Sequence, residues 1–358
     1  MFKPGAPAFA AAVMAIVFAN ASGLEQTSQR SSVARADGDT SAIAQLGLRL
    51  FTDTRLSATR KVSCASCHVP KLAFSDGLSV AVGDNAQRGT RNTPSLWNAS
   101  DLPNVFWDGR RMTLEEQALD PLLNAREHGL ADEAQLLAIV RGHPAYVEAF
   151  RDAFAVTAER IEPSHVATAL AAFQRTLQLD PSPFDQFRQE GQRSALSDAQ
   201  LRGLKLFKGS AGCAKCHIID APNAPLTDHE FHSIGVGLDE ILPRLSTLTQ
   251  QVAAADSRTL DRFIAEDPDI AALGRFVVTK DPRDIGKFRT PSLRNVALTA
   301  PYMHDGRLGT LEAAIDYEIY YRSLQADKPL ILTPAEKRDL VAFLHALTSP
   351  NAASFEKM

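Results

Sequence analysis

Apolar residues recur at helical spacing along most of the chain, and polar breaks separate the segments. The pattern predicts helices over Ala42 to Phe51, Glu133 to Arg141, Ala145 to Phe154, Ser164 to Leu177 and Ser197 to Phe207, with Ser197 as an N-cap. Thr113 followed by Glu116 has the form of a capping box and predicts a helix that stops near Pro121. The stretch from His68 to Asn92 is rich in Gly, Asp and Ser and reads as a long loop. Asp180-Pro181-Ser182-Pro183 interrupts the periodicity and marks a boundary between residues 41–180 and 181–350. The fold class expected is mainly α, in two domains.

The apolar run Ala8 to Phe18 is too short to span a membrane, which takes roughly 20 apolar residues. It follows Lys3 and precedes Ala19-Asn20-Ala21, an A-x-A-type cleavage site. Residues 1–21 therefore read as a signal peptide and 22–40 as a flexible polar leader, giving an exported, periplasmic protein with no membrane span. The formal net charge of −4 over 358 residues points neither to nucleic acid nor to an anionic membrane surface.

Candidate chemistry sits in two short stretches. Cys64-Ala65-Ser66-Cys67-His68 and Cys213-Ala214-Lys215-Cys216-His217 both read C-x-x-C-H, the attachment signature of a c-type haem. Two thiols reach the two vinyl groups of one porphyrin, and the histidine that follows becomes the proximal ligand. A redox dithiol does not need the trailing histidine, and a zinc site would need further ligands. The chain has four cysteines and the motifs use all of them. Two covalent haems follow, and export agrees with them.

The two halves repeat each other. Leu46-Gly47-x-x-Leu50-Phe51 precedes the first motif as Arg202-Gly203-x-x-Leu206-Phe207 precedes the second. Thr93-Pro94-Ser95-Leu96, Trp107-Asp108-Gly109-Arg110 and Thr113-Leu114-Glu115 return as Thr290-Pro291-Ser292-Leu293, His304-Asp305-Gly306-Arg307 and Thr310-Leu311-Glu312, at unchanged spacing. This reads as an internal duplication of a haem domain, with an insertion around Ile218 to Lys287 in the second copy.

With Arg91-Asn92-Thr93-Pro94-Ser95-Leu96, Phe106-Trp107-Asp108-Gly109-Arg110 and Ala300-Pro301-Tyr302-Met303-His304-Asp305-Gly306 in this order, the chain from about Ala42 to Leu347 resembles the bacterial dihaem cytochrome c peroxidase family, MauG-like proteins included. The resemblance implies two helical domains, an N-terminal haem where hydrogen peroxide reacts and a C-terminal haem that accepts electrons. Carried over residue by residue, His68 and His217 are the proximal iron ligands. Glu127 is the distal glutamate that moves a proton, and Trp107 is the tryptophan between the haems. Asn92, through its side chain, and Thr299 and Pro301, through their carbonyls, are ligands of one calcium ion.

Two positions depart from the family. Where classical members carry a histidine that caps the peroxidatic iron, this chain has Asp84, and no other histidine lies between His68 and His128. The N-terminal haem is expected to keep an open distal side. Where the family places Met or Tyr as the distal ligand of the C-terminal haem, the count from Pro301 lands on Glu318, and a slip of one residue would substitute Tyr317.

The expected function is a periplasmic peroxidase reducing hydrogen peroxide with electrons relayed from a small donor. One alternative is a MauG-like oxidant that holds a bis-Fe(IV) state and spends it on a protein substrate. The other is a plain dihaem electron carrier, which needs neither an open iron nor Glu127. Homodimer formation is left open. His229 and His232 stand at metal-ligand spacing but read as haem-edge or surface residues.

Overall fold

A computed structural model describes residues 41–189, 191–221, 223–324 and 329–352. The signal peptide and leader expected over 1–40 lie outside the described residues. The first part of the chain forms α1 (Ala42–Thr52), α2 (Cys64–Cys67), α3 (Leu114–Ala118), α4 (Asp120–Leu123), α5 (Glu133–Arg141), α6 (Pro144–Phe154) and α7 (Pro163–Arg175). The remainder forms α8 (Pro183–Gln189), α9 (Asp198–Lys208), α10 (Leu238–Ile241), α11 (Leu245–Ala254), α12 (Ser257–Glu266), α13 (Pro268–Ala272), α14 (Phe276–Thr279), α15 (Leu311–Leu324) and α16 (Pro334–His345). The strands are short: Phe231–His232 pairs antiparallel with Phe288–Arg289, with Phe231 opposite Arg289. The mainly α expectation holds. Among the described residues no helix is long and apolar enough to cross a membrane.

The predicted helices appear within a residue or two of their expected limits, except near Pro121. Ser41 caps α1 by accepting from Ala44 N, and Ser197 caps α9 by accepting from Gln200 N while its own N–H donates to Gln200 Oε1. Thr113 caps α3 as expected. That helix ends at Ala118, and Pro121 sits in the first turn of α4 instead of ending α3. Proline lacks only an N–H that a helix start leaves free, so it opens a helix as readily as it stops one.

Each C-x-x-C-H stretch follows a helix that crosses a partner at close range. In α1, Gly47 faces the backbone of Ala169 in α7; a Cβ there would lie 2.8 Å from Phe173 Cβ. In α9, Gly203 faces Asp339 in α16; a Cβ there would lie 2.7 Å from Phe343 Cβ. Just beyond each glycine a pair of rings seals the crossing, Phe51 with Phe173 (centroids 4.9 Å apart) and Phe207 with Phe343 (5.2 Å). All four rings are buried, each contributing about 1.5–3 kcal/mol of transfer free energy.

Local geometry recurs at the matching positions of the sequence blocks. Asn98 and Asn295, Phe106 and Met303, and Gly109 and Gly306 all have positive φ. The isolated bridge Val105–Arg111 is matched by Tyr302–Leu308. Ser95 Oγ donates to Ala73 O at 2.6 Å, and Ser292 Oγ to Pro225 O at 2.8 Å.

The segment from Ile218 to Lys287 carries α10–α14, whose Ile241, Leu248, Val252, Ile264, Leu273 and Phe276 form a core of their own. It is fastened to the stretch around Trp107. Thr90 Oγ1 donates to Ile264 O (2.6 Å) and Arg91 Nη2 to Ala271 O (2.6 Å). Arg275 Nη1 donates to the carbonyls of Asp108 (2.8 Å) and Gly109 (2.9 Å).

Candidate haem sites

At the first motif a single helical turn, α2, sets Cys64 and Cys67 three residues apart on one side. Ser66 Oγ accepts from Ser63 N at 3.0 Å and fixes the start of the turn. His68 Nδ1 donates to Phe74 O at 2.9 Å, which leaves the Nε2 lone pair for a metal. Ala73 and Phe74 both hold positive φ, 55° and 59°, which turns this carbonyl back onto the ring. For non-glycine residues such backbone costs of order 1–3 kcal/mol each, which fits a site that must hold its histidine. Burial pushes the Cys64 and Cys67 thiols up to about 12. A redox dithiol needs the opposite shift, whereas two half-buried thiols with an imidazole directly after them are the attachment set of a porphyrin. The residues fit the group.

Glu127 is half-buried and close enough to both thiols that its charge acts on them. Burial raises its carboxyl above the usual value, with the nearby Arg110 charge and a hydrogen bond from Asn124 Nδ2 (2.7 Å to Oε1) acting in the other direction. Asp84 is buried, but its carboxylate is occupied. It accepts from Thr59 N at 2.7 Å, from Thr59 Oγ1, and from Asn85 N at 3.1 Å. Burial alone would raise Asp84; these bonds outweigh it and hold the carboxyl below the usual value. His128 is buried as well, with Nδ1 donating to Leu56 O (2.7 Å) and Nε2 3.7 Å from Cys64 Sγ.

The second motif opens onto a cavity of about 1060 Å³ lined by Cys213, Cys216, His217, Glu318 and Arg322. His217 Nδ1 donates to Leu226 O at 2.9 Å, repeating the His68 arrangement, and burial pushes Cys213 up to about 11. Leu311, Ala314, Ile315, Glu318, Ile319 and Arg322 line the cavity from one face of α15. Tyr317 is off that face, parallel to Tyr321 with centroids 6.5 Å apart and near the charges of Arg307, Asp239 and Asp305. Burial raises the Glu318 carboxyl, with Arg322 and His232 opposing. A cavity of this size, with two thiols and an imidazole in its wall, fits a second porphyrin. His229 and His232 line it too. His232 Nε2 pairs with Asp228 Oδ2 at 2.7 Å, and both lie near Cys216, a sulfur committed to the haem motif.

Between the motifs, Trp107 Nε1 donates to Asn92 O at 2.9 Å, and Arg289 N donates to Trp107 O at 2.9 Å. Asn92 N donates to His304 O at 2.7 Å, tying the two halves together. Asn92 Nδ2 donates to Leu78 O (2.9 Å), leaving the amide oxygen for a cation. Asn92, Trp107, Thr299 and Pro301 all line the large cavity. Three neutral oxygens make a sparse calcium set that water must complete.

Sequence reasoning passed over the polar groups around this stretch. Asp108 is fully buried against Arg110 Nη1 (3.1 Å) and Arg91 Nη1 (3.4 Å). Arg91 lies over Phe288, which stacks on His304 at 3.6 Å, and burial with the Arg91 and Arg307 charges pushes His304 down to about 2. The recurrent Asp-Gly-Arg in both blocks was the available signal.

The family model for di-haem cytochrome c peroxidases matches residues 41–194. The chain is 35% identical over 318 residues to the cytochrome-c peroxidase IdrP1 of Pseudomonas sp. (strain SCT), covering 85% of this chain and 80% of that protein. It is 38% identical over 313 residues to the methylamine utilization protein MauG of Methylorubrum extorquens, covering 86% and 78%. Among solved structures, a MauG-like protein associated with microbial copper homeostasis superposes with a TM-score of 0.70 at 33% identity, covering 88% of this chain and 91% of that one.

Proposed function

The chain belongs to the di-haem cytochrome c peroxidase family and is an oxidoreductase of the peroxidase class, and from that premise we propose that it reduces hydrogen peroxide to water on the His68 side, outside the cytoplasm, with electrons that enter on the His217 side. Cys64, Cys67 and His68 would hold a haem, whose iron would supply the redox chemistry for peroxide. Everything else falls to the chain. Glu127 accepts the proton from the inner peroxide oxygen and returns it to the outer one, which leaves as water; such a step contributes ~10²–10⁴-fold. Its half-buried place beside the thiol pair, with Asn124 holding one oxygen, is the observation that carries the reading. Thr59 holds the Asp84 carboxylate, which keeps that side chain from closing the distal side. Trp107, hydrogen-bonded to Asn92 and lining the cavity of the second motif, lies on the route between the sites.

Several finer features belong to the same proposal. The two domains, 41–180 and 181–350, are copies of one unit; the recurrent positive-φ positions and serine bonds support this. Asn92, Thr299 and Pro301 hold a calcium ion between the sites. Residues 1–21 direct export, and a small periplasmic donor supplies the electrons. Glu318 is the distal ligand on the His217 side; its place on the cavity face, with Tyr317 off it, favours the glutamate. That carboxylate also favours a second reading, in which oxidising equivalents are retained and spent on a protein side chain. Methionine opposite histidine raises a haem potential, and an anionic oxygen should lower it.

The test is to mix the oxidised, haem-loaded protein with hydrogen peroxide and follow its consumption. Reaction without a lag supports the open His68 side. A lag removed only by prior reduction overturns it.

A further inference from the structure

Asp261 lies on α12, within the segment that the second half carries and the first lacks. Its carboxylate takes Arg111 Nη2 at 2.7 Å and Arg110 Nε at 3.4 Å. Arg111 reaches onward to Asp120 at 2.9 Å. Asp120 is the first residue of α4, and the residue directly after that helix is Asn124, whose amide donates to Glu127 Oε1. Arg110 is pinned from its other side by the buried Asp108, and its charge acts on Glu127. One carboxylate on the inserted helix thus ties together Arg110, whose charge acts on Glu127, and Arg111, which holds Asp120 at the start of α4.

We propose that Asp261 is a positioning residue for proton transfer: it anchors Arg110 and Arg111 so that α4 presents Asn124, and through it the Glu127 carboxyl, in a single orientation. This rests on Glu127 as the proton-moving group. An isolated exposed ion pair contributes next to nothing. Asp261 differs because it bridges two partly buried arginines that also engage Asp108 and Asp120. The segment is fastened nearby at Thr90, Arg91 and Arg275, so α12 has a fixed place from which to act. The insertion thereby braces the polar edge of the peroxide site from outside the first domain's own core.

The experiment compares peroxide reaction rates of haem-loaded wild type, Asp261→Asn, Asp261→Glu, Glu127→Gln and the double variant Asp261→Asn/Glu127→Gln. Amide hydrogen exchange over residues 119–130 is followed in the same samples. Asp261→Asn should slow the reaction by roughly 2- to 30-fold, the range seen when a coupled contact is broken. Exchange over 119–130 should quicken, and Asp261→Glu should restore both. The double variant should be no slower than Glu127→Gln alone, because residues acting as a unit are non-additive. A wild-type rate or unchanged exchange in Asp261→Asn overturns the proposal, as does a double variant that loses the further factor in full. If Glu127→Gln itself keeps the wild-type rate, the Glu127 reading fails first, separately from these outcomes, and the positioning role falls with it.

Discussion

Replacing Glu127 by Gln should move activity and stability in opposite directions. Gln has nearly the same shape, and its amide oxygen can still accept from Asn124 Nδ2. What is lost is the exchangeable proton, so the rate of reaction with peroxide should fall ~10²–10⁴-fold. At ~1.4 kcal/mol per decade this is about 3–5 kcal/mol of barrier. Stability follows from the raised carboxyl, which burial drives up while Arg110 and Asn124 only partly oppose it. A group whose pKa is higher folded than unfolded contributes stability fully present below its unfolded value and lost as pH rises through its folded value. At neutral pH the charged, half-buried carboxylate is therefore a cost of ~1.4 kcal/mol for each unit by which it is raised. Gln removes that cost. Stopped-flow mixing and calorimetry across pH 4 to 8 provide the check. The variant should melt no lower than wild type near neutral pH, with the difference shrinking towards acid. The wild-type rate should decline on the acid side, where Glu127 can no longer accept a proton, and the variant should lack that limb. A variant within tenfold of the wild-type rate, or one that melts several degrees lower at pH 8, would refute the reasoning.

Glu318→Ala should change the low-spin EPR signal and raise the midpoint potential of the haem on the His217 side; unchanged values would leave Glu318 as a wall residue. Trp107→Phe removes the indole N–H that binds Asn92 O, and should slow oxidation of the His217-side haem after peroxide is added while peroxide uptake at the His68 side stays intact. Equal rates at both haems would make Trp107 packing alone. Gly203→Ala sets a helix-propensity gain of ~1 kcal/mol against a Cβ 2.7 Å from Phe343 Cβ and closer to the Asp339 carbonyl. Backbone cannot rotate away, so overpacking of about 1–3 kcal/mol or more should win and lower the melting temperature. A neutral or stabilised Gly203→Ala would show that α9 and α16 can part freely.

The haem-bearing parts of the fold were legible because they are local. The helix over Glu133–Arg141 has the limits that its apolar periodicity predicts, and the structure adds the cap by Asp132. The single turn of α2 needs only the motif itself. Tertiary partners were not legible. Asp84 stands where the family has a histidine, and nothing near it in the sequence announces that Thr59, 25 residues away, holds its carboxylate. His128 stands next to Glu127 in the sequence, but only the fold puts it against Leu56 O and Cys64. Nothing in the segment from Ile218 to Lys287 announces that Arg91, Arg111 and Asp108 are its neighbours. Glu318 and Tyr317 could not be separated by counting. They separate by helix phase, because Leu311, Ile315, Glu318 and Arg322 share a face that Tyr317 leaves.

The central claim is that the two haem sites are unequal, one open beside Glu127 and one closed beside Glu318. EPR of the oxidised, haem-loaded protein before and after addition of hydrogen peroxide tests it most directly. The account predicts one high-spin and one low-spin ferric signal at rest, and loss of both on peroxide with no prior reduction. Two low-spin signals at rest, unchanged by peroxide until an electron is supplied, would contradict it.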